Sequence, residues 1–163
     1  EWLTRFSKGE TVLDVGPGKG TYALYMPWRE LDCLEVCEAY VERFRLHDLY
    51  EKVTVGDITW PEALKHAGTY DWVILGDVLE HLSVADGQWV VHYLHDRNVK
   101  LLVAVPYEQP QEPFEDNPHE EHLQADLTPL VMRERYPCLW PLFTAYHGPP
   151  MGGYGYWTNY RSK

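Results

Sequence analysis

The residues best suited to chemistry begin with Val12-Leu13-Asp14-Val15-Gly16-Pro17-Gly18-Lys19-Gly20-Thr21, an apolar run that ends in three glycines spaced two apart. Glycine permits a sharp turn and lets backbone N–H groups approach a ligand. At the start of a helix the partial positive charge favours an anionic end such as a carboxylate. Gly16, Gly18 and Gly20, with Asp14 ahead of them, are therefore candidate binding residues for a ligand with a polar, partly anionic end. A dinucleotide fingerprint would place its third glycine one residue later. A phosphate-binding P-loop would follow its lysine with Ser or Thr, whereas Lys19 is followed by Gly20. Both phosphate readings lose ground, and a nicotinamide-dependent oxidoreductase loses ground with them. A second concentration of reactive groups is Asp77, Glu80 and His81. Their i, i+3, i+4 spacing puts three potential metal ligands on one helical face, with His122 able to approach from the run Asn117-Pro118-His119-Glu120-Glu121-His122.

The elements that must position these groups are legible as apolar runs. Thr11 to Val15, Leu31 to Cys37, Lys52 to Ile58, Tyr70 to Gly76 and Lys100 to Pro106 read as strands buried on both faces of a parallel sheet. Ala39 to Leu49 and Ser83 to Arg97 carry apolar residues at helical spacing, and Ser83 with Asp86 forms a capping box. The alternation predicts an α/β fold: a doubly wound, mostly parallel, Rossmann-like sheet in a single domain spanning 1–163. Pro106 to Asp126 has no periodicity and reads as a long acidic loop over the carboxyl edge of the sheet. One more helix is expected over Asp126 to Tyr136, opening at Asp126 or Thr128. The aromatic runs Cys138 to His147 and Gly155 to Arg161, joined by GPPMGGYG, predict an appended antiparallel hairpin.

The glycine segment resembles the first motif of the class I S-adenosylmethionine-dependent methyltransferases, which has this acid-x-GxGxG form. Three further positions match in order. Glu35, 15 residues beyond Gly20, stands where the family places an acid that accepts both ribose hydroxyls, with Glu38 as the alternative. Two carboxylate oxygens can accept two O–H donors. Asp57 stands where the family's residue meets the adenine amine, with the backbone of Ile58 beside the ring, although Asp57 is also placed to cap the turn before Trp60-Pro61. Asp77 opens GDVLEHL, a segment similar to that of many small-molecule members. The resemblance implies S-adenosyl-L-methionine as cofactor, bound by Asp14, Gly16, Gly18, Gly20, Glu35, Asp57, Ile58 and Asp77. It also implies methyl transfer to a small-molecule or glycan acceptor, at oxygen. For a hydroxyl acceptor His81 is the candidate base, with Asp77 and His122 as further catalytic candidates and His119 or His122 in the segment that closes over the substrate. The acid-xx-Glu-His spacing resembles that of magnesium-dependent small-RNA ribose methyltransferases and some quinone-precursor O-methyltransferases, but with Asp at the first position; a resident metal is not the expectation. The alternative is a non-catalytic S-adenosylmethionine-binding partner or scaffold domain.

Composition bounds the partners. The 163 residues carry a formal charge of −11, so phosphate backbones and anionic membrane surfaces should be repelled. Seven carboxylates and no Lys or Arg lie between Pro106 and Asp126, so the charge concentrates on the loop expected beside the site, and a cationic or neutral acceptor fits better than an anionic one. Base methylation is disfavoured because GDVLEHL lacks the Pro-Pro-aromatic grip. Of the eight aromatic residues between Tyr136 and Tyr160, most are expected to pack rather than to line a pocket. Apolar runs are too short to cross a bilayer. The odd set Cys33, Cys37 and Cys138 fits reduced, buried thiols in a cytoplasmic protein. The chain opens at Glu1 without Met, and a preceding segment is expected.

Overall fold

A computed structural model describes residues 9–26, 30–114, 117–146 and 152–160. Glu115 and Asp116 of the acidic stretch, and residues 148–151 of the Gly/Pro turn, lie outside the described residues. Seven strands form one sheet: β1 (Val12–Val15), β2 (Asp32–Glu35), β3 (Lys52–Val55), β4 (Trp72–Gly76), β5 (Lys100–Pro106), β6 (Trp140–Tyr146) and β7 (Gly153–Thr158). Their order is β3-β2-β1-β4-β5-β7-β6. The first five strands are parallel, and β7 runs antiparallel to both β5 and β6. The doubly wound sheet and the C-terminal hairpin agree with the expectation. The order reverses between β1 and β4, and ligands of such sheets bind outside the carboxyl ends of the strands at that reversal.

Side-chain alternation sorts the central strands between two cores. Leu13, Val15, Val73, Leu75, Leu101 and Val103 point to one face. There they meet Leu64 and Ala67 of α3 (Pro61–Ala67), Val90, Val91 and Leu94 of α4 (Val84–Asp96), and Met132 of α5 (Pro129–Arg135). Val12, Cys33, Trp72, Ile74 and Leu102 point the other way, onto Ala23 of α1 (Thr21–Tyr25), Val41 of α2 (Glu38–Arg43) and Tyr50. Burying each large apolar side chain contributes ~1.5–3 kcal/mol, so the glycine turn after β1 rests on a rigid support.

Several elements differ from the sequence reading. The helix expected over Ala39 to Leu49 is broken: α2 ends at Arg43, and Arg45 takes a left-handed φ of 53° before a short 3-10 turn over Leu46–Asp48. β2 and β3 stop at Glu35 and Val55, two or three residues short, so Cys37 caps α2 and Asp57 stands in the loop. α3 was not anticipated; Pro61 occupies its first turn, where a missing N–H costs nothing. α5 opens at Thr128, whose hydroxyl accepts the Val131 N–H at 3.1 Å. Asp126 instead forms a two-pronged ion pair with Arg135 at 2.8 and 2.6 Å. Ser83 caps α4 as expected, accepting from the Asp86 N–H and donating to its carboxylate. Cys33 is buried, which pushes its thiol up to about 12, whereas Cys37 and Cys138 are only half-buried.

Candidate functional site

The glycine turn sets the floor of the site. Gly16, Gly18 and Gly20 have φ of 60°, 50° and 76°, the left-handed region that side chains other than glycine adopt at a cost. The Gly16 N–H donates to Leu34 O and the Gly20 N–H to Pro17 O, both at 2.8 Å. Gly16 and Gly18 border two adjoining cavities at the carboxyl ends of the strands, of about 120 and 870 Å³. Gly20 borders neither: it opens α1, and a Cβ there would collide with Leu49. Asp14 also borders neither cavity. It is 1% exposed beneath α1, where Tyr50 donates its hydroxyl to Oδ2 at 2.6 Å while Oδ1 has no partner among the described residues. Burial pushes its pKa up to about 7, against the Tyr50 hydrogen bond that lowers it.

The smaller cavity gathers Glu35, Asp57 and Ile58. Glu35 is 3% exposed at the end of β2, with Oε1 accepting the Cys37 N–H at 2.9 Å. Burial raises its pKa, partly opposed by backbone N–H groups of Cys37, Gly18 and Val36. Glu38 is exposed on the first turn of α2 and does not border the cavity. Asp57 combines both roles weighed for it: it borders the cavity, and its Oδ1 accepts the N–H and the hydroxyl of Thr59, each at 2.8 Å. The acidic loop covers this side, contributing Asn117, His119 and Glu120.

The two cavities meet at Gly16, Gly18, Asp77, His81 and Glu120. Asp77 directly follows β4 with a left-handed φ of 58°, and its Oδ1 accepts the Tyr154 hydroxyl at 2.6 Å. That backbone breaks the continuous helix implied by the i, i+3, i+4 spacing: Asp77 is set apart, and only Leu79–His81 form a 3-10 turn. His81 Nδ1 lies 3.1 Å from Glu121 O and His122 Nδ1 2.6 Å from Gln109 O. A carbonyl only accepts, so each Nδ1 carries a hydrogen, and a neutral His81 ring keeps its lone pair on Nε2. Burial lowers the His81 pKa, which keeps the ring neutral at physiological pH. The two imidazoles sit edge to face, 4.7 Å between centroids, and His122 borders neither cavity.

Glu80 is 1% exposed, and neither carboxylate oxygen finds a donor among the described residues. Burial and the adjacent Asp77 hold its pKa well above the carboxylate range. Glu80, His81 and His122 each offer one donor atom within 4.8 Å of the others, a set of two imidazoles and a carboxylate suited to a divalent cation. With its pKa raised, Glu80 keeps a proton between itself and Asp77, and a bound cation would displace that proton and pair with the carboxylate.

Gln124 holds this turn in place and was not visible in the sequence. It is 1% exposed, donates from Nε2 to Leu79 O at 2.7 Å and Leu82 O at 3.1 Å, and its backbone N–H reaches Glu80 O at 2.9 Å. Tyr136 and Arg135 complete its bonds. Tyr22, Tyr154, Tyr156 and Phe143 border the larger cavity, whereas Trp157 and Tyr136 are buried. The aromatic tail therefore divides between lining and packing. No helix among the described residues is long and apolar enough to cross a membrane.

No family model matches the chain, and no curated protein does. Solved structures do. A SAM-dependent methyltransferase from Archaeoglobus fulgidus is 13% identical with a TM-score of 0.70, over 96% of this chain and 89% of that one. Magnesium protoporphyrin IX methyltransferase from Synechocystis, solved with bound SAM, is 15% identical with a TM-score of 0.66, over 96% and 73%. The methyltransferase domain of bacterial CtHen1 is 17% identical with a TM-score of 0.58, over 91% and 90%. The fold is that of the class I methyltransferases.

Proposed function

We propose, from the premise of a class I methyltransferase fold, that the protein transfers a methyl group from S-adenosyl-L-methionine to an oxygen of a small-molecule or glycan acceptor. The observation that carries this reading is the pair of cavities meeting at Gly16, Gly18, Asp77, His81 and Glu120. Glu35 would accept the ribose hydroxyls, Asp57 and Ile58 would meet the adenine, and Gly16 and Gly18 would let the backbone approach the amino-acid end. The bound cofactor supplies an activated methyl group, so the protein's part is alignment and exclusion of water. The neutral His81 ring, with its Nε2 lone pair, would take the acceptor's hydroxyl proton. Asp77 and Tyr154 would orient groups at the junction.

A second reading of the same residues is favoured by the convergence of Glu80, His81 and His122. Glu80, His81 and His122 would hold a divalent cation, which would polarise the acceptor oxygen as a Lewis acid. In that case His81 is a ligand and not the base.

Calorimetric titration with S-adenosylmethionine, S-adenosylhomocysteine and NAD tests the cofactor: binding of the adenosyl compounds is expected, and NAD binding without either would overturn it. Release of S-adenosylhomocysteine across catechols, sugars, carboxylic acids and amines tests turnover; binding with no turnover on the panel would favour the non-catalytic alternative. Turnover that persists in EDTA assigns His81 as base, and loss restored by added magnesium or manganese assigns the cation.

A further inference from the structure

We infer that the larger cavity is an acceptor chamber that selects flat phenolic molecules bearing a positive or no charge over those bearing a negative one. The inference rests on the methyl-transfer reading and names the substrate class it would serve.

The chamber holds about 870 Å³, within the usual range for small-molecule sites. Its aromatic walls come from two distant parts of the chain. Tyr22 and Tyr25 stand on α1, and Phe143, Tyr154 and Tyr156 on the β6/β7 hairpin. Phe143 and Tyr156 are stacked, with centroids 4.3 Å apart and planes 15° from parallel. Tyr25 is 66% exposed and Phe143 46%, so both keep large apolar surfaces uncovered at the cavity. Rings held in this way favour a flat partner, and their negative π faces attract a cation.

The charged groups point the same way. Asp77 and Glu120 border the chamber against one Lys19. An anionic acceptor would meet two carboxylates in a partly desolvated space, where like charges repel more strongly than in water. A phenol satisfies the walls through its ring and the junction through its hydroxyl, which can reach His81. In the transfer the O–H proton passes to His81 Nε2 and the new O–CH3 bond forms as the S–CH3 bond breaks. The sulfur keeps the electron pair, leaving an aryl methyl ether and a neutral thioether.

Three probes share the ring and hydroxyl and differ in charge: tyramine (cationic), 4-hydroxyphenethyl alcohol (neutral) and 4-hydroxyphenylacetate (anionic). They are to be titrated calorimetrically into protein saturated with S-adenosylhomocysteine. Tyramine is expected to bind at least ten times more tightly than 4-hydroxyphenylacetate, with the alcohol between them. Tyr156→Leu and the exposed Tyr25→Leu, each with an unchanged melting temperature, are expected to weaken tyramine at least tenfold while leaving S-adenosylhomocysteine affinity unaltered. Equal or reversed affinities, no binding of any probe to the loaded protein, or tyramine affinity indifferent to both substitutions would overturn the inference alone. Failure of S-adenosylhomocysteine to bind would overturn the methyl-transfer reading and the inference with it.

Discussion

The two sides of the β1–β4 reversal are built by different means. On the β1-β2-β3 side, Gly16, Gly18, Glu35 and Asp57 sit at or just past strand ends, and each is placed by its own strand. On the β4-β5-β7-β6 side, positions depend on partners remote in the chain: Tyr154 bonds Asp77 across 77 residues, and Gln124 bonds Leu79 across 45. One half of the site is local in sequence and the other is assembled by tertiary contacts. Substitutions should therefore separate into those that weaken cofactor binding and those that slow transfer.

The sharpest test of that division is His81→Ala, expected to lower kcat by ~10²–10⁴, the usual worth of a positioned acid or base. Cofactor affinity should stay within about twofold, a change too small to implicate the binding half; a comparable loss of affinity would merge the two sides. Glu35→Gln should do the reverse. Losing hydrogen bonds to a charged acceptor is worth ~1.5–3 kcal/mol, so the calorimetric Kd for S-adenosylhomocysteine should rise about 10- to 100-fold, with kcat at saturation nearly unchanged. Gln124→Leu should reduce kcat about tenfold, because the turn bearing His81 loses two side-chain anchors, to Leu79 O and Leu82 O, worth ~1 kcal/mol each. If it acts by positioning, the pH profile of kcat will move while KM for cofactor holds; a purely structural role would lower the melting temperature alone.

The smallest effect on turnover is expected from Asp14→Asn, which is read in stability. The folded pKa of Asp14 is raised from 3.8 to about 7, so the native state keeps a proton that the unfolded chain has already released. Its contribution is whole below about pH 4 and is lost as the pH climbs to 7, at up to ~1.4 kcal/mol per unit. Thermal melts of the wild type should thus fall over that window relative to Asp14→Asn, and parallel curves would refute the burial account.

The same division explains what could be read from the sequence. β5 was legible over Lys100–Pro106 because an unbroken apolar run has one reading in a parallel sheet, and α4 was legible from Ser83 and thirteen residues of pattern. α3 has only seven residues, including Lys65 and His66, too few to show a period. The break in α2 follows from the backbone of Arg45, a residue type with no special tendency toward positive φ. Glu35 could be placed over Glu38 only as the likelier fit to a motif; burial at the strand end now separates them. Gln124 and Tyr22 carried no local signal, since their importance arises from neighbours brought together by folding. Glu80 was noticed for its spacing, but its complete burial was not predictable from it.

The strand order has a consequence for how the protein comes into being. β6 emerges from the ribosome before β7, yet in the sheet it touches only β7, which alone reaches β5. The β1-β2-β3 half of the site can therefore take shape on a nascent chain while Tyr156 and the tyrosine that grips Asp77 still await residues 153–158. A form in which β7 has not docked keeps the glycine turn but lacks the Tyr154–Asp77 bond and the hairpin side of the larger cavity.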